Sequence, residues 1–250
     1  MGKNNKIEVG EVRRDYFLES ILKKPVYQMD SDVALFPKYF SSGAQSFIYA
    51  KISFDEYRIL NQFQEVGFEI VELNLQFEKS TLSKTSFETG TTGVEVQVRW
   101  AANQDRSEVV EIAKDSFKYS RFHLDRNIDN KVANCIKETW AENFFKGKRG
   151  DKMAVATIDD KVVGFIQILT MGNSFYLDLV AVSGSHQKSG IALQMIEFVF
   201  EKLSYKDNCF VGTQASNLPS IRFYQKIGFK VFKSNYVLHY HGEFDGKFIK

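Results

Sequence analysis

Residues 176–192 read Tyr176-Leu177-Asp178-Leu179-Val180-Ala181-Val182-Ser183-Gly184-Ser185-His186-Gln187-Lys188-Ser189-Gly190-Ile191-Ala192. An apolar strand runs into a short polar loop, and a helix starts at its end. The first N–H groups of a helix have no partner inside it and lie at the positive end of its dipole, so this corner suits an anion such as a diphosphate. Gly190 and Ala192 keep the backbone bare there, and Lys188 adds a charge at the mouth. The loop is not a P-loop, because Lys188-Ser189 precede Gly190. Nor is it a dinucleotide fingerprint, because Gly184 and Gly190 are wrongly spaced.

A second signal follows at 217–229, Asn217-Leu218-Pro219-Ser220-Ile221-Arg222-Phe223-Tyr224-Gln225-Lys226-Ile227-Gly228-Phe229. Asn217 and Pro219 mark a helix start, Ile221, Tyr224 and Ile227 recur at helical spacing, and Gly228-Phe229 closes the helix. Gln187-x-x-Gly190-x-Ala192 after Leu177-x-Leu179-Val180-Ala181-Val182 resembles the acetyl-CoA signature of the GNAT acetyltransferase superfamily. Residues 217–229 resemble that superfamily's Asn-x-x-Ala/Ser-x-x-Phe-Tyr-x-Lys-x-Gly-Phe hallmark.

The resemblance implies an α/β (α+β) GNAT fold, a mixed and mostly antiparallel central sheet flanked by helices. It implies acetyl-CoA as cosubstrate and no metal. Backbone groups of Leu179, Val180, Ala181 and Val182 would receive the pantetheine arm. Gln187, Lys188, Ser189, Gly190, Ile191 and Ala192 would receive the pyrophosphate, and Asn217, Ser220, Phe223 and Tyr224 would complete the coenzyme side. Tyr224 is the expected acid for the departing thiolate, since a phenol's ordinary pKa of about 10 is close to a thiol's. A backbone N–H near Val180 is the expected oxyanion donor. Asp178 interrupts an otherwise apolar strand, which is costly unless the carboxylate is paired or useful. It is read as a base for the amine, on a face shared with Tyr176 and Val180; pairing with a cation or orienting a hydroxyl is equally open.

A Ser/Thr/Gly stretch divides the chain into residues 1–82, a linker over 83–93 and residues 94–250. After the linker, strands are expected over 94–99, 153–158, 161–169, 175–182, 210–213 and 231–239. Helices are expected from Asp105, with Glu108 completing a capping box, from about Asp129, and after Gly190. Before the linker, a strand over 45–52, a helix over 54–66 and a strand over 69–77 are expected. Gly67-Phe68-Glu69-Ile70-Val71-Glu72-Leu73-Asn74 aligns without gaps on Gly228-Phe229-Lys230-Val231-Phe232-Lys233-Ser234-Asn235. The first part is therefore read as a truncated GNAT-like half without a coenzyme loop.

The acceptor surface of this fold lies between the first two helices, here Lys118-Tyr119-Ser120-Arg121-Phe122-His123-Leu124-Asp125. Tyr119 suits base stacking and Arg121 a phosphate clamp. Ser120, His123 and Asp125 suit sugar hydroxyls or the amine. The run, followed by Trp140 and Asn143, is similar to the TDP-fucosamine acetyltransferases. That implies a small nucleotide-sugar amine as acceptor, surface polysaccharide synthesis, and the option of a homodimer. A peptide or protein amine, and a non-catalytic acyl-CoA-binding module, remain alternatives.

Composition narrows the classes. A net charge of +2 over 250 residues implies no nucleic acid or membrane surface as partner. Only Cys135 and Cys209 are present, far apart, so neither a disulfide framework nor a zinc site is expected. The chain has no long apolar run and no signal-peptide pattern at its start, so the expected location is the cytoplasm.

Overall fold

The computed structural model describes residues 11–33, 35, 37–40, 42–81 and 95–246; the expected linker, 83–93, lies outside the described residues. The chain forms β1 (Val12–Arg14), α1 (Tyr16–Leu22), β2 (Val26–Met29), β3 (Ala44–Ser53), α2 (Tyr57–Glu65) and β4 (Glu69–Ser80). There follow β5 (Gln97–Trp100), α3 (Arg106–Ser116), α4 (Arg121–Leu124), α5 (Asn130–Phe145), β6 (Lys152–Ile158) and β7 (Lys161–Met171). The last elements are β8 (Ser174–Val182), α6 (Ile191–Lys202), β9 (Asn208–Gln214), α7 (Leu218–Lys226) and β10 (Lys230–Phe244). Contacts group these residues into two units. One takes the chain up to Asn74, Leu124–Asn127 and the end from Ser234; the other takes Leu75–His123 and Ile128–Lys233.

In the larger unit β5, β6, β7 and β8 pair antiparallel in turn, and β9 joins β8 in parallel. Asp159 and Asp160, at φ 47° and 63°, form the turn between β6 and β7, a conformation that matches the strands' right-handed twist. Both faces of the sheet are covered, so β7 is apolar nearly throughout, with Gln167 as the polar residue in its middle. On one face Ile166, Ile168 and Leu177 pack with Met195, Ile196 and Val199 of α6. On the other, Phe165, Leu179 and Ala181 pack with Val109, Ile112 and Ala113 of α3 and Ala141 of α5. Phe165 is fully buried there, and Phe165→Ala is expected to cost about 3–5 kcal/mol by denaturant titration.

The helix starts differ in detail from expectation. Asp129 caps α5 by accepting the Lys131 N–H at 2.7 Å. The capping box at Asp105 and Glu108 does not form. Asp105 instead takes the Arg99 guanidinium at 2.7 and 2.8 Å and the Ala102 N–H at 2.7 Å, while Glu108 takes the Val162 N–H at 2.9 Å. A partly buried guanidinium and an unpaired strand amide outcompete the local cap.

In the smaller unit β1 pairs antiparallel with β2, β2 parallel with β3, and β3 antiparallel with β10 from Ala44↔Phe244 to Ser53↔Asn235. Ile48, Ile52, Leu60, Phe63, Phe68 and Leu238 form its core. The sequence likeness at Gly67 and Gly228 extends to geometry. Phe68 N–H donates to Phe63 O at 3.0 Å and Phe229 N–H to Tyr224 O at 2.9 Å, each helix closing through a glycine with positive φ.

Candidate active site

The site is built where β8 leaves its partners. Gln167 pairs with Leu179, but Ile168 pairs with Leu177, so Asp178 is the extra residue of a β-bulge. The bulge interrupts the alternation of side chains. Leu177 packs on the α6 side of the sheet and Leu179 on the α3–α5 side, although they are two residues apart. Val180 packs with the α6-side cluster, as Leu177 does. The face shared by Asp178 and Val180, expected from simple alternation, is therefore absent. On the other edge β8 pairs with β9 only from Ser174↔Asn208 to Leu177↔Val211. Beyond that, β8 continues to Val182 and β9 to Gln214 without further pairing to each other among the described residues. Two strand edges with backbone groups to offer face an opening, and such an edge accepts an extended amide-bearing chain as an added strand.

The loop after β8 is held by its own side chains. Ser183 Oγ and Ser185 Oγ lie 2.8 and 2.9 Å from His186 Nδ1, and Gln187 Nε2 donates to Val182 O at 3.3 Å. Ser189 Oγ donates to His186 O. Gly184 therefore does not leave the loop unbraced. Gly190 ends it at φ 81°, a conformation that L side chains rarely adopt, and no side chain caps the α6 amides that follow. Those uncapped amides lie at the corner where the sequence leads one to expect an anion.

Asn217 caps α7: its Oδ1 accepts the Ser220 N–H at 3.3 Å and its Nδ2 donates to Thr213 Oγ1 at 3.1 Å. The helix presents Phe223 and Tyr224 to the opening. Tyr224 is 5% exposed, its ring centroid 5.8 Å from Phe77, 5.5 Å from Phe223 and 5.7 Å from Phe229. Burial, with Cys209 and Tyr176 nearby, pushes its phenol well above the usual range, so the hydroxyl stays protonated at neutral pH. Burial likewise pushes Tyr176 up to about 12.

A cleft of about 1960 Å³ joins these parts. It is lined by Asp178, Leu179, Val180, Ala181 and Val182, by the loop and helix start from Gln187 to Ala192, and by Asn217, Ser220, Phe223 and Tyr224. Glu111 and Asp115 of α3, with Tyr119 and Ser120, also line it. Arg121, His123 and Asp125 do not line it. Arg121 lies 4.6 Å from the Phe122 ring. His123 Nδ1 is 2.6 Å from Ser120 Oγ and its Nε2 2.8 Å from Asn134 Oδ1. Burial, with the Lys137 cation adding to it, pulls His123 below its ordinary range despite the Asn134 bond.

Asp125 belongs to the smaller unit. Its Oδ2 accepts from His239 Nδ1 at 2.6 Å and His241 Nε2 at 2.7 Å, and Lys24 Nζ lies 3.2 Å from His241 Nδ1. Asp125, His239 and His241 each offer a ligand atom, all within 4.8 Å of one another, a grouping that could hold a metal ion. Burial would raise the Asp125 carboxyl, but the bonds from His239, His241 and the Asn127 N–H outweigh it and hold it well below the carboxylate range. Its contribution is thus present above the ordinary carboxylate pKa of about 3.9 and lost as pH falls through the lower folded value. Asp125→Asn should lose stability at pH 7 yet lose less on going to pH 3, as measured by urea unfolding at both.

Two site residues escaped the sequence reading. Arg149 donates to Asp178 through Nε and Nη2 at 2.8 and 2.7 Å, and Gln167 Nε2 donates to the same carboxylate at 3.0 Å. Gln167 carried the signal that marked Asp178, a polar residue inside an apolar strand. Arg149 carried none, because it sits in a turn after α5.

Comparison with known proteins agrees with this geometry. The acetyltransferase (GNAT) family model matches residues 107–229. The spore coat polysaccharide biosynthesis protein SpsD of Bacillus subtilis is 31% identical over 137 residues, 54% of this chain and 47% of that protein. The chain thus spans about half the length of that curated relative. A GCN5-related N-acetyltransferase of Sphaerobacter thermophilus is similar in structure at TM-score 0.57 and 14% identity, over 79% of this chain and 60% of that one. A tandem GNAT protein from the clavulanic acid biosynthesis pathway is similar at TM-score 0.54 and 10% identity, over 78% and 64%. No described helix is long and apolar enough to cross a membrane. With the bulged β8, its parting from β9, the uncapped start of α6 and the family match in one segment, residues 107–229 belong to the GNAT acetyltransferase family.

Proposed function

We propose that the protein transfers the acetyl group of acetyl-CoA to the amine of a nucleotide-linked amino-dideoxy sugar, in polysaccharide biosynthesis. The observation that carries this reading is the parting of β8 from β9 beyond Leu177↔Val211 beside the uncapped amides at Gly190–Ala192. The name of the Bacillus subtilis relative supports the polysaccharide setting. In this reading residues 94–250 carry the activity, residues 1–82 are a truncated GNAT-like half, and 83–93 join them.

The pantetheine arm lies along Leu179–Val182 and the diphosphate on the amides from Ser189 to Ala192. The amine nitrogen attacks the thioester carbonyl, a C–N bond forms, and negative charge on the carbonyl oxygen is met by a backbone N–H near Val180. The C–S bond breaks and the thiolate takes the Tyr224 proton; the proton lost by the nitrogen restores the phenol. Burial disfavours phenolate and thiolate alike, so the difference between them, which governs the transfer, is smaller than the phenol's own shift. Asp178 accepts an N–H of the incoming amine while its ammonium proton leaves to water.

A peptide amine is the second reading, favoured by Glu111 and Asp115 along the cleft and by the absence of Arg121 from it. Thiol release from acetyl-CoA over TDP-fucosamine, UDP-linked amino sugars and a lysine-rich peptide decides between them. Turnover with the sugars and none with the peptide is expected. The reverse supports the second reading, and coenzyme A binding without any turnover supports a non-catalytic module.

A further inference from the structure

A bulged residue has no partner across the ladder, so contacts of its side chain add to what the flanking pairs do to hold it. At Asp178 that anchor is Arg149. The guanidinium bonds both carboxylate oxygens and lies 4.3 Å over the Trp140 ring. Its own turn is held by the Lys148 and Arg149 amides, which both donate to Asn143 O, at 2.8 and 3.2 Å. Gly150 at φ 88° closes the turn where an added Cβ would lie 2.9 Å from Gln167 Cγ, so the turn and Gln167 are fitted to each other.

The arrangement is not what stability alone selects. Gln167 is fully buried, and with its Nε2 committed to Asp178 its Oε1 has no donor among the described residues. A buried acceptor left in that condition is unfavourable. The Asp178 side chain, 8% exposed, sits in a strand that is otherwise apolar. Oδ2 takes two hydrogen bonds and Oδ1 one, so Oδ1 retains an accepting site, and Asp178 lines the cleft.

We propose that Arg149, supported by Gln167, is a positioning residue: it fixes the bulge through Asp178 and leaves Oδ1 to receive an N–H of the acceptor amine. This rests on the acetyl-transfer reading above. Arg149 touches neither coenzyme nor acceptor; it acts through Asp178.

The test compares Arg149→Ala and Gln167→Leu with wild type, using hydrogen exchange of residues 176–182, coenzyme A calorimetry, and kinetics with the best acceptor of the panel. For Arg149→Ala, faster exchange over 176–182 and a loss of about a hundredfold in acceptor kcat/KM are expected, the scale of a small misplacement of reacting groups. Coenzyme A affinity should change far less, and added ethylguanidinium should restore part of the rate. Gln167→Leu should lower acceptor kcat/KM without lowering Tm, because it removes the donorless acceptor. Wild-type exchange and kinetics in Arg149→Ala overturn the inference, as does an equal loss of coenzyme affinity and turnover without rescue. A wild-type protein that gives no heat with coenzyme A overturns the acetyl-transfer reading instead, and the exchange measurement still judges the anchor.

Discussion

Tyr224→Phe should lower kcat by about a thousandfold, within the range that general acids contribute, and leave coenzyme A affinity unchanged. The affinity is kept because the ring keeps its packing against Phe77, Phe223 and Phe229 and loses only the hydroxyl. The pH dependence carries its own sign. The folded phenol lies above its ordinary value of about 10, so the stability tied to it is complete below that value and is lost as pH rises through the folded one. Wild type should therefore unfold progressively above about pH 10, and Tyr224→Phe should lose stability less steeply there. Stopped assays across pH, with alkaline unfolding followed by circular dichroism, read both effects. A variant with wild-type kcat would remove Tyr224 from the chemistry and leave it a core aromatic.

Gly190→Glu should abolish coenzyme A binding, with a loss well beyond a hundredfold, the coupling one charge-assisted contact in a closed site can carry. Two effects add. At φ 81° a side chain strains the backbone by roughly 1–2 kcal/mol. A carboxylate is also placed at the α6 amides, where it occupies the anion site from within the chain. Gly190→Ala separates them, since it carries the strain without the charge, and should weaken binding by about tenfold. Gly190 is exposed, so both variants should keep their far-ultraviolet spectrum. Calorimetric titration with coenzyme A gives the comparison. Equal losses in the two variants would mean that loop geometry, not anion recognition, dominates.

The geometry of the cleft wall that the sequence assigns to the coenzyme was legible because it is set locally. Gly190, the α6 amides, Asn217 and the Gly228 closure are set by conformational rules acting over a few residues, and they stand in the chain at fixed spacing. The acceptor side was not. Tyr119 and Ser120 line the cleft, but Arg121, the first residue of the short helix α4, does not, and a loop's composition says nothing of which side chain faces which cavity. Asp125 went to His239 and His241, more than a hundred residues away, because a buried carboxylate takes whatever donors the fold delivers.

The chain by itself determined the type and order of the strands and helices of the larger unit, apart from the short α4, and the corner at Gly190, since period-2 and helical spacing, turn residues and caps are read from neighbours. Tertiary structure alone decided the bulge at Asp178 and the anchoring of that carboxylate by Arg149 and Gln167. A one-residue slip in register leaves no mark on an alternating strand, and an ion pair between residues 29 apart exists only once the sheet and the turn after α5 have met.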